Sequence, residues 1–305
     1  MRITVLGCGA LGQIWLSALS RAGHSVQGWL KVPQPQLSIQ VLTPEQDAYQ
    51  HSFRVNDARL LEQCELLLVT LKAQHMQSGL TPLLPHLSSE CPIVLMHNGL
   101  GVVDDLPTIT QPLCHAVTTQ AAYRTSAATL HKAWGLTQIG PLNAAAQSVS
   151  PIADILHQAL PDVAWYNEIK ISGWKKLAVN AVINPLTVKY DCNNGGLMAA
   201  LDEVAALCAE LTLVMNREGI HTDADQLYDL VINVINLTAA NSSSMRQDIH
   251  AKRVTEIDYI NGYLLKRARC YGLTLPQHSA LYHWIKQKES EYVGDALSAT
   301  LPRSW

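Results

Sequence analysis

The chain has 305 residues, 48% of them hydrophobic and 15% charged, with a formal net charge of −3. That length has room for two domains, and the charge gives no general attraction to nucleic acid or an anionic membrane, so any anion site must be built locally. No apolar run reaches transmembrane length, and seven cysteines without a CxxC pair read as reduced, mostly buried thiols of a cytoplasmic protein, with neither a disulfide framework nor a zinc site.

Arg2 to Leu6 is a short β-rich run that passes straight into Gly7-Cys8-Gly9-Ala10-Leu11-Gly12, so it reads as a strand and not as a signal peptide. An apolar helical pattern follows as far as Ala22. A G-x-G-x-x-G turn between strand and helix suits a dinucleotide. The first glycine makes the tight turn, the second lets a pyrophosphate approach the backbone, and the third lets helix and strand pack closely. The helix N-terminus adds unpaired N–H groups and a partial positive charge.

Gly23 ends that helix, and Ser25 to Leu30 reads as the second strand. A site that prefers NAD places an acid near this strand end, for the ribose 2′-hydroxyl. Here the position holds Lys31, and no acid occurs between Gln13 and Pro44. A lysine attracts a 2′-phosphate that a carboxylate would repel, so NADP is expected.

Glu65 to Thr70 is a buried strand ending at Leu71-Lys72, and Pro92 to Met96 is another, ending at His97-Asn98-Gly99. Ligands of open α/β sheets gather outside the carboxyl ends of strands. The glycine turn, Lys31, Lys72 and Asn98 all fall at such ends. Asn-Gly is also a common turn. His115 to Tyr123, Ala128 to Trp134 and Leu136 to Ile139 read as further, mostly antiparallel strands. Asn143 to Ser150 reads as a surface loop, Pro151 to Leu160 as a helix and Val163 to Tyr166 as a final strand.

From about Glu168 onward the periodicity is helical. Trp174 to Pro185 is apolar almost all round, as in a segment buried between neighbours. Lys176, Asn180 and Asn184 break that rule in steps of four, forming one polar stripe ~12 Å long. Buried amides and ammonium groups are costly without partners. Either the three satisfy one another and nearby backbone, or they line a cleft for a small polar ligand. A loop from Tyr190 to Gly196 comes next, then a helix from Asp202 to Glu218 and another starting at Thr222-Asp223-Ala224-Asp225, a near capping box. After the polar break Asn241 to Ser244, one long helix is expected to run through Thr255-Glu256-Ile257-Asp258-Tyr259-Ile260-Asn261-Gly262 to near Gly272. A last helix covers roughly Pro276 to Tyr292. The expected fold is an α/β Rossmann-type domain, residues 1–167, followed by an all-α domain, residues 168–305. An active site is expected in the interdomain cleft.

Several motifs together resemble ketopantoate reductase, the NADPH-dependent 2-dehydropantoate 2-reductase family of pantothenate biosynthesis. They are I-T-V-L-G-C-G-A-L-G, L-L-L-V-T-L-K-A, H-N-G, W-x-K-L-A-V-N-x-V-I-N-P-L-T, S-S-M-x-Q-D and T-E-I-D-Y-I-N-G, with Leu301-Pro302-Arg303 at the close. The resemblance implies that Lys176 is the general acid. It implies that Asn180, Asn184, Asn194, Asn241 and Ser244 bind substrate, and that Glu256 bonds the ribose of the nicotinamide. Asn98 and Ala122 match positions that touch cofactor, Asn98 lying near substrate as well, and Lys72 matches a lysine on the cofactor side. Lys31 stands where close relatives carry arginine, which loses a bidentate grip on phosphate. Asn193 and Gly196 replace a frequent proline and glutamate, a change expected to leave the loop around Asn194 more mobile. The expected partner is the small-molecule substrate alone, with no nucleic acid, membrane or metal, in a monomer or weak homodimer. Two other functions fit the same residues: a sister dehydrogenase of another small 2-oxo or 3-hydroxy acid, and a non-catalytic NADP-binding sensor. A sensor has no need of the intact stripe.

Overall fold

The computed structural model describes residues 1–299; the closing Leu301-Pro302-Arg303 motif lies outside the described residues. Two compact units emerge. The first comprises Met1–His97 and Val102–Ser172, and the second comprises Asn98–Gly101 and the chain from Gly173 onward.

The first unit begins with β1 (Arg2–Leu6), α1 (Ala10–Arg21), β2 (Ser25–Trp29), β3 (Gln36–Leu42), β4 (Ala48–Arg54), α2 (Ala58–Glu62) and β5 (Leu66–Val69). It continues through α3 (Met76–Leu80), β6 (Ile93–Met96), β7 (Leu113–Thr118), β8 (Ala121–Arg124), β9 (Thr129–Ala133), β10 (Thr137–Pro141), α4 (Ile152–Ala159) and β11 (Val163–Trp165). Seven strands form one sheet in the order β11-β10-β7-β6-β5-β1-β2, parallel throughout except where β10 runs against β7. Every residue of β5, β6 and β7 is buried, as expected for central strands of a sheet covered on both faces. The register pairs Leu6 with both Trp29 and Val69, and Val69 with Leu95. The chain therefore leaves β1, β2, β5 and β6 side by side at one edge. The order reverses at β1, with β2 on one side and β5 on the other, and this is where open α/β sheets bind ligands.

A second sheet, ordered β4-β3-β9-β8, packs on α1. Its hairpin β3–β4, with Leu37 opposite Phe53 and Val41 opposite Tyr49, is absent from the sequence reading, although Leu37, Ile39 and Val41 alternate with polar residues as a half-buried strand does. The run from His115 to Tyr123, read as one strand, is two. β7 ends in the main sheet at Thr118, whose Oγ1 accepts from the Gln120 amide at 3.2 Å. The Gln120 amide group then donates to the Gly135 carbonyl at 2.6 Å, turning the chain so that β8 joins the other sheet.

Six helices follow: α5 (Ile169–Lys189), α6 (Leu201–Arg217), α7 (Ala224–Leu237), α8 (Ser244–His250), α9 (Asn261–Cys270) and α10 (Pro276–Ala299). Trp174, Leu177, Ala181, Val182 and Leu186 of α5 join Val204, Leu211, Val231, Leu264 and Ile285 in one core. Asp223 caps α7, its Oδ1 accepting from the Gln226 amide at 2.7 Å. The single long helix expected through T-E-I-D-Y-I-N-G is not formed. α8 ends at His250, Lys252 turns at φ +51°, and only a 3-10 turn at Ile257–Tyr259 precedes α9. Tertiary bonds account for the break. The backbone N–H and hydroxyl of Thr255 both donate to Glu289 Oε1 at 2.7 Å, and Asp258 accepts from Tyr282 and Lys286. Among the described residues no helix is long and apolar enough to cross a membrane, and all seven cysteines are free thiols.

Candidate active site

The glycine turn is tightly built. Gly7 adopts φ +91°, a region closed to most side chains, and its N–H donates to the Trp29 carbonyl at 3.0 Å. A Cβ on Gly12 would stand 2.0 Å from the Gly7 carbonyl oxygen and 2.6 Å from Thr70 Oγ1. A Cβ on Gly9 would meet nothing within 4 Å. Gly9 is exposed and precedes α1, which begins without a side-chain cap, so its first-turn N–H groups suit an anion. The Cys8 thiol turns inward to Val5, and burial raises its pKa to about 12. Ala10 and Leu11 are half-buried.

Lys31 is exposed just beyond β2, and Asn56 holds the backbone before it, donating to the Leu30 carbonyl at 2.9 Å and accepting from the Leu30 amide at 3.4 Å. Sequence reading missed His75. Its pKa is lowered by partial burial and then by the charges of Lys31 and Lys72, so three basic side chains share this edge. Two cations with a neutral imidazole beside an open glycine and an uncapped helix start fit a phosphorylated dinucleotide. Ala122 lies apart from the main sheet, on β8 opposite His131, half-buried against the core that includes α1. Lys31→Glu is expected to raise the NADPH Kd by about tenfold through loss of one charged contact while leaving NADH binding nearly unchanged. Fluorescence titration with both cofactors checks this, and equal weakening of the two would remove Lys31 from the phosphate site.

In the second unit the stripe runs from half-buried Lys176 and Asn180 to Asn184, which is 6% exposed. Glu256, 7% exposed, accepts from Asn98 Nδ2 at 3.0 Å. Burial lowers the Lys176 pKa to about 8, and the nearby Glu256 charge opposes that shift. An ammonium, a carboxylate and an amide, drawn from three distant stretches of sequence, thus meet. Asn98 is held by the glycines that follow it. The Leu100 amide donates to the Tyr259 carbonyl at 2.8 Å. Gly99 and Gly101 have positive φ, and a Cβ on either would come within 2.3 Å of Tyr259 or Tyr263. Asn98-Gly99 therefore packs closely against Tyr259 within the second unit, beyond the simple turn that the dipeptide alone suggests.

Asn194 is buried. Its Nδ2 donates to Thr238 Oγ1 at 2.8 Å and its backbone N–H to the Asn241 carbonyl at 2.9 Å, while Oδ1 is buried with no hydrogen-bond partner. Asn241 and Ser244 are exposed. Ser243, passed over as a candidate, caps α8 by accepting from the Arg246 amide at 3.1 Å and bonds Thr187 Oγ1 at 2.6 Å. Thr187 in turn donates to the Asn184 carbonyl at 2.8 Å. Arg246, also missed, donates to Asp191 at 2.8 Å and to Asn193 and Ser242 at 3.2 Å. The loop before Asn194 is therefore tied down despite lacking the family's proline.

A doubly wound sheet with a glycine turn at its switch point, joined to helices that hold a half-buried lysine near a carboxylate, defines a two-unit nucleotide-dependent oxidoreductase type. Sequence models described as Ketopantoate reductase PanE/ApbA and Ketopantoate reductase PanE/ApbA C terminal match residues 3–144 and 168–289. A 2-dehydropantoate 2-reductase of Yersinia pestis is 50% identical over 305 residues, the whole of both chains. The chain belongs to the ketopantoate reductase family. Two solved structures share its fold. The ketopantoate reductase of Ralstonia eutropha JMP134 has a TM-score of 0.84 at 23% identity, covering 96% of this chain and 99% of that one. A D-mandelate dehydrogenase with NADH and anilino(oxo)acetate has a TM-score of 0.85 at 20% identity, with the same coverage.

Proposed function

We propose that the chain reduces 2-dehydropantoate to (R)-pantoate with NADPH, as a cytoplasmic step of pantothenate and coenzyme A biosynthesis. The observation that carries the reading is Lys176, whose ammonium is shifted by burial to about 8 and lies within reach of the Glu256 charge. Full-length identity of 50% to a protein named for this activity supports it. The nicotinamide cofactor supplies a hydride when bound.

The chain's own residues do the rest. Gly7 to Gly12, Lys31 and Lys72 bind the dinucleotide, and Ala122, Asn98 and Glu256 complete its contacts. Asn98, Asn180, Asn184, Asn194, Asn241 and Ser244 offer the donors and acceptors that a carboxylate and a hydroxyl need. Lys176 stabilises the charge that develops on the C2 oxygen and gives that oxygen its proton. Residues 1–167 carry most of the nucleotide contacts and residues 168–305 most of the substrate contacts, Asn98 and Glu256 being the exceptions, in a monomer or weak homodimer.

Spectrophotometric NADPH oxidation tests the reading, with ketopantoate as substrate and NADH, pyruvate and 2-oxoisovalerate as controls. Fast turnover with ketopantoate and NADPH alone is the expected result. Cofactor binding with turnover only on another 2-oxo acid would make the chain a sister dehydrogenase, and binding without turnover on any would make it a sensor.

A further inference from the structure

α5 contains a proline, Pro185, inside an otherwise continuous helix. Proline has no N–H, so the Ala181 carbonyl four residues earlier lacks its helical donor. Ala181 is fully buried, and a buried carbonyl left open costs about 1–3 kcal/mol. The missing donor comes from far along the chain. Asn261 Nδ2 donates to the Ala181 carbonyl at 3.0 Å. Its second hydrogen goes to His278 Nδ1 at 2.9 Å, and His278 Nε2 donates to the Leu207 carbonyl at 3.1 Å.

The polarity of this line is fixed at both ends by carbonyls, which only accept. Asn261 must present its nitrogen to Ala181, and His278 must carry its proton on Nε2. Burial lowers the His278 pKa to about 4, which keeps the ring neutral and Nδ1 an acceptor. Asn261 and His278 are both fully buried, and one polar line therefore crosses α9, α5, α10 and α6. Asn261 Oδ1 is buried with no partner, so the residue is held here for what its nitrogen does.

The place where this line meets α5 lies on the core side of the same helical turn that carries the polar stripe. Ala181 follows Asn180 and precedes Asn184, and Asn261 closes the segment that carries Glu256. That segment is pinned to α10 through Thr255 and Asp258. Asn261 joins it to α5.

We propose that Asn261 is a positioning residue for the reaction, using the carbonyl that Pro185 leaves open to set Glu256 in register with Lys176, Asn180 and Asn184. The proposal rests on the reductase reading above. Its test compares Asn261→Ala, Pro185→Ala and the double variant in the full chain, following ketopantoate kinetics, the pH profile of kcat and thermal unfolding. Asn261→Ala is expected to lower kcat ~10- to 100-fold, the scale of a small misalignment. It should also move the alkaline limb of the profile by about half a pH unit, as the Lys176 surroundings change, and lower the Tm. In the double variant an N–H returns at position 185 and closes the Ala181 carbonyl within the helix. The Tm should then recover while kcat and the alkaline limb stay displaced.

A double variant that regains kcat together with Tm would make Asn261 a filler of a structural vacancy, and an Asn261→Ala enzyme with unaltered kcat and pH profile would equally overturn the proposal. Wild-type chain inactive on ketopantoate would strike the reductase reading and this proposal with it, which separates the two failures.

Discussion

Lys176→Ala is expected to lower kcat on ketopantoate by ~10²–10⁴-fold, the usual contribution of a positioned proton donor, while the Kd for NADPH changes little. The lysine lies in the second unit and the glycine turn in the first, so cofactor affinity and turnover should separate. The pH dependence has a definite sign. Burial lowers the Lys176 pKa to about 8 against the Glu256 charge, and a general acid works only while protonated. Turnover in the reductive direction should therefore be full below that value and fall as pH rises through it. Glu256→Gln removes the opposing charge, so the alkaline limb should move to lower pH. Steady-state kinetics across pH 6–10 decides. Near-normal turnover in Lys176→Ala would end its assignment as the acid, and a profile flat through pH 8 would detach that limb from this lysine.

Gly12→Ala should abolish tight cofactor binding, raising the NADPH Kd by ~100-fold or more, the equivalent of about 3 kcal/mol of overpacking strain. The added Cβ would sit 2.0 Å from the Gly7 carbonyl oxygen, and Gly7 is itself held by its bond to Trp29. The turn has to open, and Tm should fall with affinity. Gly9→Ala is the contrasting case. A Cβ there meets nothing in the protein itself, so Tm should hold while the Kd rises about tenfold through contact with the pyrophosphate. Titration calorimetry and thermal unfolding on both variants check the pair. Wild-type NADPH affinity in Gly9→Ala would mean that the open face of the turn does not receive the cofactor.

Much of this chain can be read locally. The glycine turn is legible because strand, turn and helix fall within about twenty consecutive residues, and both glycine spacing and apolar periodicity are local properties. The stripe Lys176-Asn180-Asn184 is legible for the same reason, since steps of four share a helix face. Lys31 stands out by position at a strand end and by the absence of an acid nearby. The hairpin β3–β4 has a local signature too, since Leu37, Ile39 and Val41 alternate with polar residues. The division of the run at Thr118–Gln120 carried no such pattern, because the bonds that turn it come from Gly135 and Leu136.

Glu256 marks the limit of local reading. Its surrounding sequence is compatible with helix, and helical periodicity alone continues α8 into α9. The chain departs from helix because Glu289, 34 residues on, takes both the amide and the hydroxyl of Thr255, and because Asp258 is claimed by α10. The same holds for Asn98, whose side chain reaches Glu256 across 158 residues of sequence, and for Asn261, whose donor closes a carbonyl opened by a proline on another helix. Residue types, periodicity and turns follow from bonds between near neighbours and so are written in the order of amino acids. Which buried donor meets which acceptor depends on the packed helices, and that alone brings Lys176, Glu256 and Asn98 together.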